Sequence, residues 1–261
     1  VQLKSCPDII SGQLFSLSPR ASGAALYRLR PQQTEKNMIG FFIKKWFFDF
    51  WDNMIKIVII NFGFVLLLGM AVYLPYLLRF NNVVMISSAA VALILLNVYT
   101  GAVSAFVGEI ADYGTPGFSD FFGYVKDVLR SSLVLSVIVG VELFLLLVGI
   151  PYYIAIGGMI GLIIVSIIFW ASVIWWLAWQ YYFPVRTRLD TSLKKVFKKS
   201  FILLLDNTGF TLFMALFSLV IIVLSVITAL LLPGLASVLL LHQVGLKLRL
   251  YKYDYLEENP N

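Results

Sequence analysis

The sequence predicts an all-α polytopic membrane protein, a transmembrane helical bundle of six spans, and three observations predict it. First, 60% of its 261 residues are hydrophobic and only 13% are charged, where a soluble domain is about half apolar and about a quarter charged. With a mean hydropathy of +0.90 at 29.4 kDa, a water-soluble fold would have to be nearly all core, which surface-to-volume scaling forbids. Second, the apolar residues fall in runs of about 20, the length of helix that crosses a hydrocarbon layer about 30 Å thick. Third, the cations gather beside alternate ends of those runs, the bias that orients membrane helices.

Residues 1–37 stand apart. They are polar, carry Pro7, Pro19 and Pro31, and lack the apolar h-region of a secretory signal. Cys6 follows Leu3-Lys4-Ser5, which has a charge where a lipoprotein cleavage site needs a small or apolar residue. The segment is expected to be irregular or disordered, or to lie upstream of a natural start at Met38. Residues 38–250 then form one transmembrane domain and 251–261 a cytoplasmic tail.

The spans follow in order: Met54 to Leu78, Val83 to Gly108, Ser131 to Ile150, Tyr153 to Tyr182 and Asn207 to Leu232. A sixth runs from Gly234 to Leu248, about 22 Å at about 1.5 Å per residue. That length suits a crossing with local thinning or a re-entrant segment. The breaks are expected at Phe80-Asn81-Asn82, at Ile150-Pro151 and at Pro233-Gly234, since Pro removes a backbone donor and Gly tolerates tight turns.

Orientation follows from the cations. Lys44, Lys45 and Lys56 flank span one, Lys126 and Arg130 precede span three, and Arg186, Arg188, Lys194, Lys195, Lys198 and Lys199 join spans four and five. Lys247, Arg249 and Lys252 follow span six. With both termini cytoplasmic, only Arg79 falls in an outer turn. An odd number of crossings would put the last cluster outside, which argues against a re-entrant sixth segment.

Amphipathic stripes precede the odd-numbered spans. They are Phe42, Trp46, Phe50 and Met54 in 41–56; Phe118, Phe121, Phe122, Val125 and Leu129 in 118–130; and Val185, Leu189, Leu193, Val196 and Phe197 in 185–200. Each reads as a helix at the cytoplasmic interface. The chain is thus expected to be three amphipathic-elbow plus helical-hairpin units.

Ionisable groups inside spans are costly and are functional candidates by default. Glu142 in span three and His242 in span six lie at comparable depth, so they could form a proton relay, a polar cavity floor or interhelical hydrogen bonds. Asn61 and Asn97 read as interhelical hydrogen-bonding groups. Asp206 or Asn207 reads as an N-cap. Gly157-Gly158 and Gly161 read as sites of close helix approach. Trp170, Trp175, Trp176, Trp179, Tyr181 and Tyr182 read as an aromatic belt or, alternatively, a sugar-binding surface. The basic run from Arg186 to Lys199 forms a cytoplasmic interface, either a solvated anchor or a dock for anionic lipid or an acidic partner.

The formal net charge of +6 does not point to nucleic acid, because the cations lie in short clusters beside apolar runs instead of on one broad face. One cysteine and one histidine leave little metal chemistry. There is no phosphate-binding G-x-x-x-x-G-K-[ST] loop, no H-E-x-x-H, no G-x-S-x-G and no pair of intramembrane aspartates. No cofactor is expected.

Three stretches resemble the YesL-like family of bacterial integral membrane proteins. They are Phe47-Phe48-Asp49-Phe50-Trp51 leading to Asn61; Gly117-Phe118-Ser119-Asp120-Phe121-Phe122; and Tyr182-Phe183-Pro184-Val185-Arg186 followed by Leu193-Lys194-Lys195-Val196-Phe197-Lys198-Lys199-Ser200. The likeness covers about residues 40–250, and the long N-terminal segment departs from it. It implies a bacterial inner-membrane protein of unassigned activity, encoded near carbohydrate ABC transporters and their sensors, with no catalytic residues to carry over. The expectation is a non-enzymatic accessory protein whose partners are the lipid bilayer and the membrane subunits of such a transporter or sensor. The alternatives are a proton-coupled permease using Glu142 and His242, and an intramembrane enzyme, for which no nucleophile and base can be paired.

Overall fold

The computed structural model describes residues 31–79, 81–189 and 192–258. Expectations for residues 1–30, Cys6 and its neighbours included, lie outside them. Among the described residues there is helix and turn but no strand. The helices are α1 (Pro31–Asp52), α2 (Met54–Leu77), α3 (Asn82–Ala111), α4 (Phe121–Ile156, with a π turn at Leu145–Gly149), α5 (Gly158–Arg188), α6 (Leu193–Asp206), α7 (Thr208–Ile227) and α8 (Gly234–Glu258). Five of them, α2, α3, α4, α5 and α7, are long and apolar enough to cross a membrane. The chain divides into two compact units, Val1–Lys45 and Trp46–Asn261. Of the first, residues 31–45 of α1 are described; all packing below concerns the second.

The described part of α1 is already helical from Pro31, inside the stretch expected to be irregular. At the other end α8 continues through residues 251–258 of the expected tail. Its basic and aromatic C-terminal half keeps good helix formers while lowering its average hydropathy below that of the other five.

The break between α2 and α3 falls where expected, with the Asn81 side chain accepting from the Val83 and Val84 N–H groups. The break at Pro151 does not. The backbone widens at Leu145–Gly149, the Ile150 N–H reaching back to Leu145 O, and the helix runs on to Ile156. A wide turn relieves the clash of the proline ring with the preceding carbonyls. The chain reverses instead at Gly157 and Gly158, at φ 72° and 71°, a conformation that favours glycine. Close approach is realised at Gly161, where an added Cβ would lie 2.5 Å from Tyr153 O.

α3 is the central helix, packing against α2, α4, α5 and α8. Phe106 and Val107 of α3, Tyr181 and Tyr182 of α5, and Leu240 and Leu241 of α8 are buried. Tyr181 and Tyr182 are therefore core residues and no interfacial belt: their hydroxyls meet Thr211 Oγ1 at 2.8 Å and Ser131 O at 3.0 Å. Trp175 stacks on Phe197 of α6.

The elbows also differ from expectation. The first ends at Asp52, before residue 56. The second is no separate helix, since 121–130 runs straight into the rest of α4. The third starts at Leu193, since Val185 is buried in the last turn of α5 and Leu189 lies exposed at its C-cap, and it extends to Asp206. Val196, Ser200, Leu203 and Leu204 form its buried face. The first and third elbows share a junction: an Asp-Asn pair, Asp52-Asn53 and Asp206-Asn207, with the asparagine Nδ2 donating back to Asp49 O at 3.1 Å and to Leu203 O at 3.4 Å. Asn207 stands at the N-cap position of α7, as expected, but neither asparagine makes a side-chain capping bond. Asp206 is the last residue of α6.

Candidate functional site

Two clusters join buried polar side chains of different helices in the second unit. In the first, Asn61 is fully buried on α2 and holds the connection between α7 and α8. Its Nδ2 donates to Leu231 O at 3.0 Å and Pro233 O at 2.7 Å, while its Oδ1 accepts the Ala236 N–H at 2.8 Å. Ser225 Oγ of α7 accepts the Gly234 N–H at 2.8 Å. Trp46 Nε1 donates to Ser237 O at 2.9 Å. The expected interhelical role of Asn61 is realised, with backbone groups as its partners.

The second cluster ties α3, α5 and α8 together. Gln243, fully buried on α8, donates from Nε2 to Ser104 O, Ser104 Oγ and Thr187 Oγ1 at 2.8, 3.0 and 3.0 Å. Arg188 spreads its guanidinium over three acceptors: Gln243 Oε1 at 2.6 Å, Asp112 Oδ2 at 2.6 Å and Gly108 O at 2.9 Å. Lys247 pairs with the other Asp112 oxygen at 2.8 Å and donates to Ala111 O at 2.8 Å. Two cations thus share one carboxylate that is half exposed, while their own side chains are mostly covered. Gly108 leaves room for this, since a Cβ there would sit 3.2 Å from the Gln243 amide.

The basic residues predicted as one interface therefore separate. Arg188 belongs to the buried cluster, and Arg186 donates to Asp127 O at 2.8 Å. Lys194, Lys195 and Lys198 are exposed on α6, with Lys199 partly covered. Glu142 and His242 are not brought together. The Glu142 carboxyl faces the Trp175 indole of α5, whose Nε1 is buried outside hydrogen-bond geometry. His242 Nε2 lies 3.1 Å from Ser218 Oγ. Because the Ser218 hydroxyl donates to Met214 O at 2.8 Å, Nε2 is the donor of that pair. Asn97 Nδ2 donates to Leu93 O of its own helix at 3.0 Å instead of bridging helices.

Sequence reasoning missed Gln243, Asp112 and Lys247 as members of a site. Gln243 carried a signal, an amide inside the apolar run Leu239-Leu240-Leu241-His242-Gln243-Val244, overshadowed by the ionisable histidine beside it. Asp112 and Lys247 looked like ordinary helix-end charges.

Chemically, both clusters join helices: their donors are consumed by backbone carbonyls and by one another. Comparison of the chain with family models, with curated proteins and with solved structures finds no match.

Proposed function

We propose that this chain is a non-enzymatic accessory protein of the bacterial inner membrane, associated through its membrane helices with a carbohydrate ABC transporter or its sensor. The observation that carries the non-enzymatic part is the commitment of the polar groups in these two clusters. Asn61, Gln243 and Arg188 spend their hydrogen bonds on backbone carbonyls, on backbone N–H groups and on each other, the pattern of a scaffold whose polar interior sets helix positions. The resemblance of three aromatic and basic stretches to the YesL-like family supports the sugar-transport neighbourhood. A proton-coupled permease is less well supported, because Glu142 and His242 have separate neighbours.

In this reading the six apolar segments form three hairpins, α2–α3, α4–α5 and α7–α8, with both chain ends cytoplasmic. Positive charge supports that orientation, since the clusters around Lys56, Lys126, Lys194 and Lys247 all fall on one side. An elbow precedes each hairpin, continuous with α4 in the second.

Co-purification from the native host in mild detergent tests the proposal. Recovery together with the membrane subunits of a carbohydrate transporter or sensor is expected; recovery of the chain alone sinks it.

A further inference from the structure

We infer that the α7–α8 hairpin is re-entrant: it enters the bilayer from the cytoplasmic side, turns at the depth of Asn61 and leaves on the same side, so that only α2, α3, α4 and α5 cross. The inference rests on the orientation proposed above and replaces the expected fifth and sixth crossings.

Depth comes from contacts that act as rulers along the neighbouring helices. The first turn of α8 is fixed to Asn61, which lies about 10 Å along α2 from Met54 and about 24 Å short of Leu77, at about 1.5 Å per residue. Further down, Gln243 meets Ser104 and Lys247 meets Ala111 on α3. α3 is aligned with α2 by Tyr99, whose hydroxyl donates to Ile60 O at 2.7 Å. From Tyr99 back to Asn82 is again about 25 Å. Trp46, on the helix assigned to the cytoplasmic interface, reaches Ser237 O. Together they put the α7–α8 turn far below the α2–α3 turn. Even with the bundle tilted by about 40° the separation is about 18 Å, more than half of a hydrocarbon core about 30 Å thick.

The turn itself satisfies its N–H groups within the protein. In lipid every backbone polar group needs a partner within the protein, and here each N–H from Thr228 to Gly234 has one. Thr228, Ala229, Leu230 and Leu231 donate to Ser225 O, Val226 O, Ser225 O and Thr228 O. Leu232 donates to Thr228 Oγ1 and Gly234 to Ser225 Oγ; Pro233 has no N–H. The carbonyls of Leu231 and Pro233 go to Asn61 and that of Leu232 to Thr228 Oγ1. The segment Ala229-Leu230-Leu231-Leu232-Pro233 carries no charged residue, whereas the α2–α3 turn carries Arg79, Asn81 and Asn82. α7 enters and α8 leaves, so the parity of crossings stays even and the cations after Leu246 stay cytoplasmic. α7, about 30 Å long, then lies oblique to the membrane normal, its exposed Leu212, Leu216, Val223 and Ile227 facing lipid.

The test uses the full chain with Cys6→Ser and single cysteines at Ala229, Asn82 and Lys195. A membrane-impermeant maleimide is applied to right-side-out and to inverted vesicles. Asn82→Cys labelled from outside and Lys195→Cys from inside uphold the orientation, and the reverse would overturn it without bearing on depth. Ala229→Cys is expected to react from outside at least tenfold more slowly than Asn82→Cys. Carrying a permeant bimane, it should be quenched most by spin labels midway along the acyl chains. Outside labelling of Ala229→Cys at the rate of Asn82→Cys, or strongest quenching by headgroup labels, overturns the inference.

Discussion

Asn61 and Gly234 meet so closely that no side chain fits between them: a Cβ at Gly234 would overlap the Asn61 carboxamide, and Gly234 holds φ at 75°. The carboxamide that fills this space bonds on both sides of the glycine, to Pro233 O and to the Ala236 N–H. One residue pair therefore sets where α8 starts and how far α7–α8 reaches along α2.

Gly234→Ala should accordingly be worse in the native chain than in Asn61→Ala. Asn61→Ala leaves buried backbone groups unpaired, at about 1–3 kcal/mol each, and Gly234→Ala adds strain at positive φ. Once the carboxamide is gone the alanine methyl has room. Thermal unfolding in detergent of both single variants and the double variant should give a coupling of about 1 kcal/mol or more, favouring the double. Additive losses would show that the overlap does not govern this site.

Arg188→Lys should not be conservative. A guanidinium reaches Gln243 Oε1, Asp112 Oδ2 and Gly108 O at once, while an ammonium on a flexible stem cannot match that fork. The loss should be about 2–3 kcal/mol, since hydrogen bonds to charged groups contribute about 1.5–3 kcal/mol each and lysine keeps one or two of them. Equal melting temperatures for the two proteins would assign Arg188 to the solvated anchor that the sequence first suggested.

Asp112→Ala should leave Arg188 and Lys247 side by side without their shared carboxylate. Because Asp112 is half exposed, salt reaches the site, and the Debye length falls from about 10 Å at 0.1 M to about 3 Å at 1 M. The variant's melting temperature should therefore climb with sodium chloride more steeply than that of the unmodified chain. Parallel salt curves would mean that the cations do not repel appreciably.

What could be read from sequence follows from the range of the physics involved. Helix, hydropathy and the α2–α3 turn are local, carried by apolar runs and by the capping Asn81, and they were legible. The reversal at Gly157-Gly158 was missed because the hydrogen-bond shift at Leu145–Gly149 that accommodates Pro151 is a property of the folded backbone. Asn61 was visible as a polar group in an apolar span. Its partners, some 170 residues away, were not, and neither was the sharing of Asp112 by cations from α5 and α8. The Asp-Asn pairs at 52–53 and 206–207 were in plain view, yet their equivalence shows only once both Nδ2 groups are seen donating back to the fourth residue before them.

Glu142 and His242 should behave as two separate sites. Since Glu142 faces Trp175 and His242 bonds Ser218, Glu142→Gln and His242→Phe should act independently. Their effects on unfolding free energy should add within about 0.5 kcal/mol, as expected for sites with no shared partner. His242→Phe alone should cost about 1 kcal/mol, because Ser218 Oγ keeps its bond to Met214 O and loses only one neutral partner. Ser218→Ala, by contrast, should couple to His242→Phe, having removed the acceptor of the Nε2 proton beforehand. Coupling between Glu142→Gln and His242→Phe above about 1 kcal/mol would restore the relay and with it the case for a proton-coupled permease. Strict additivity would leave the two residues as separate supports of the α4–α5 and α7–α8 hairpins.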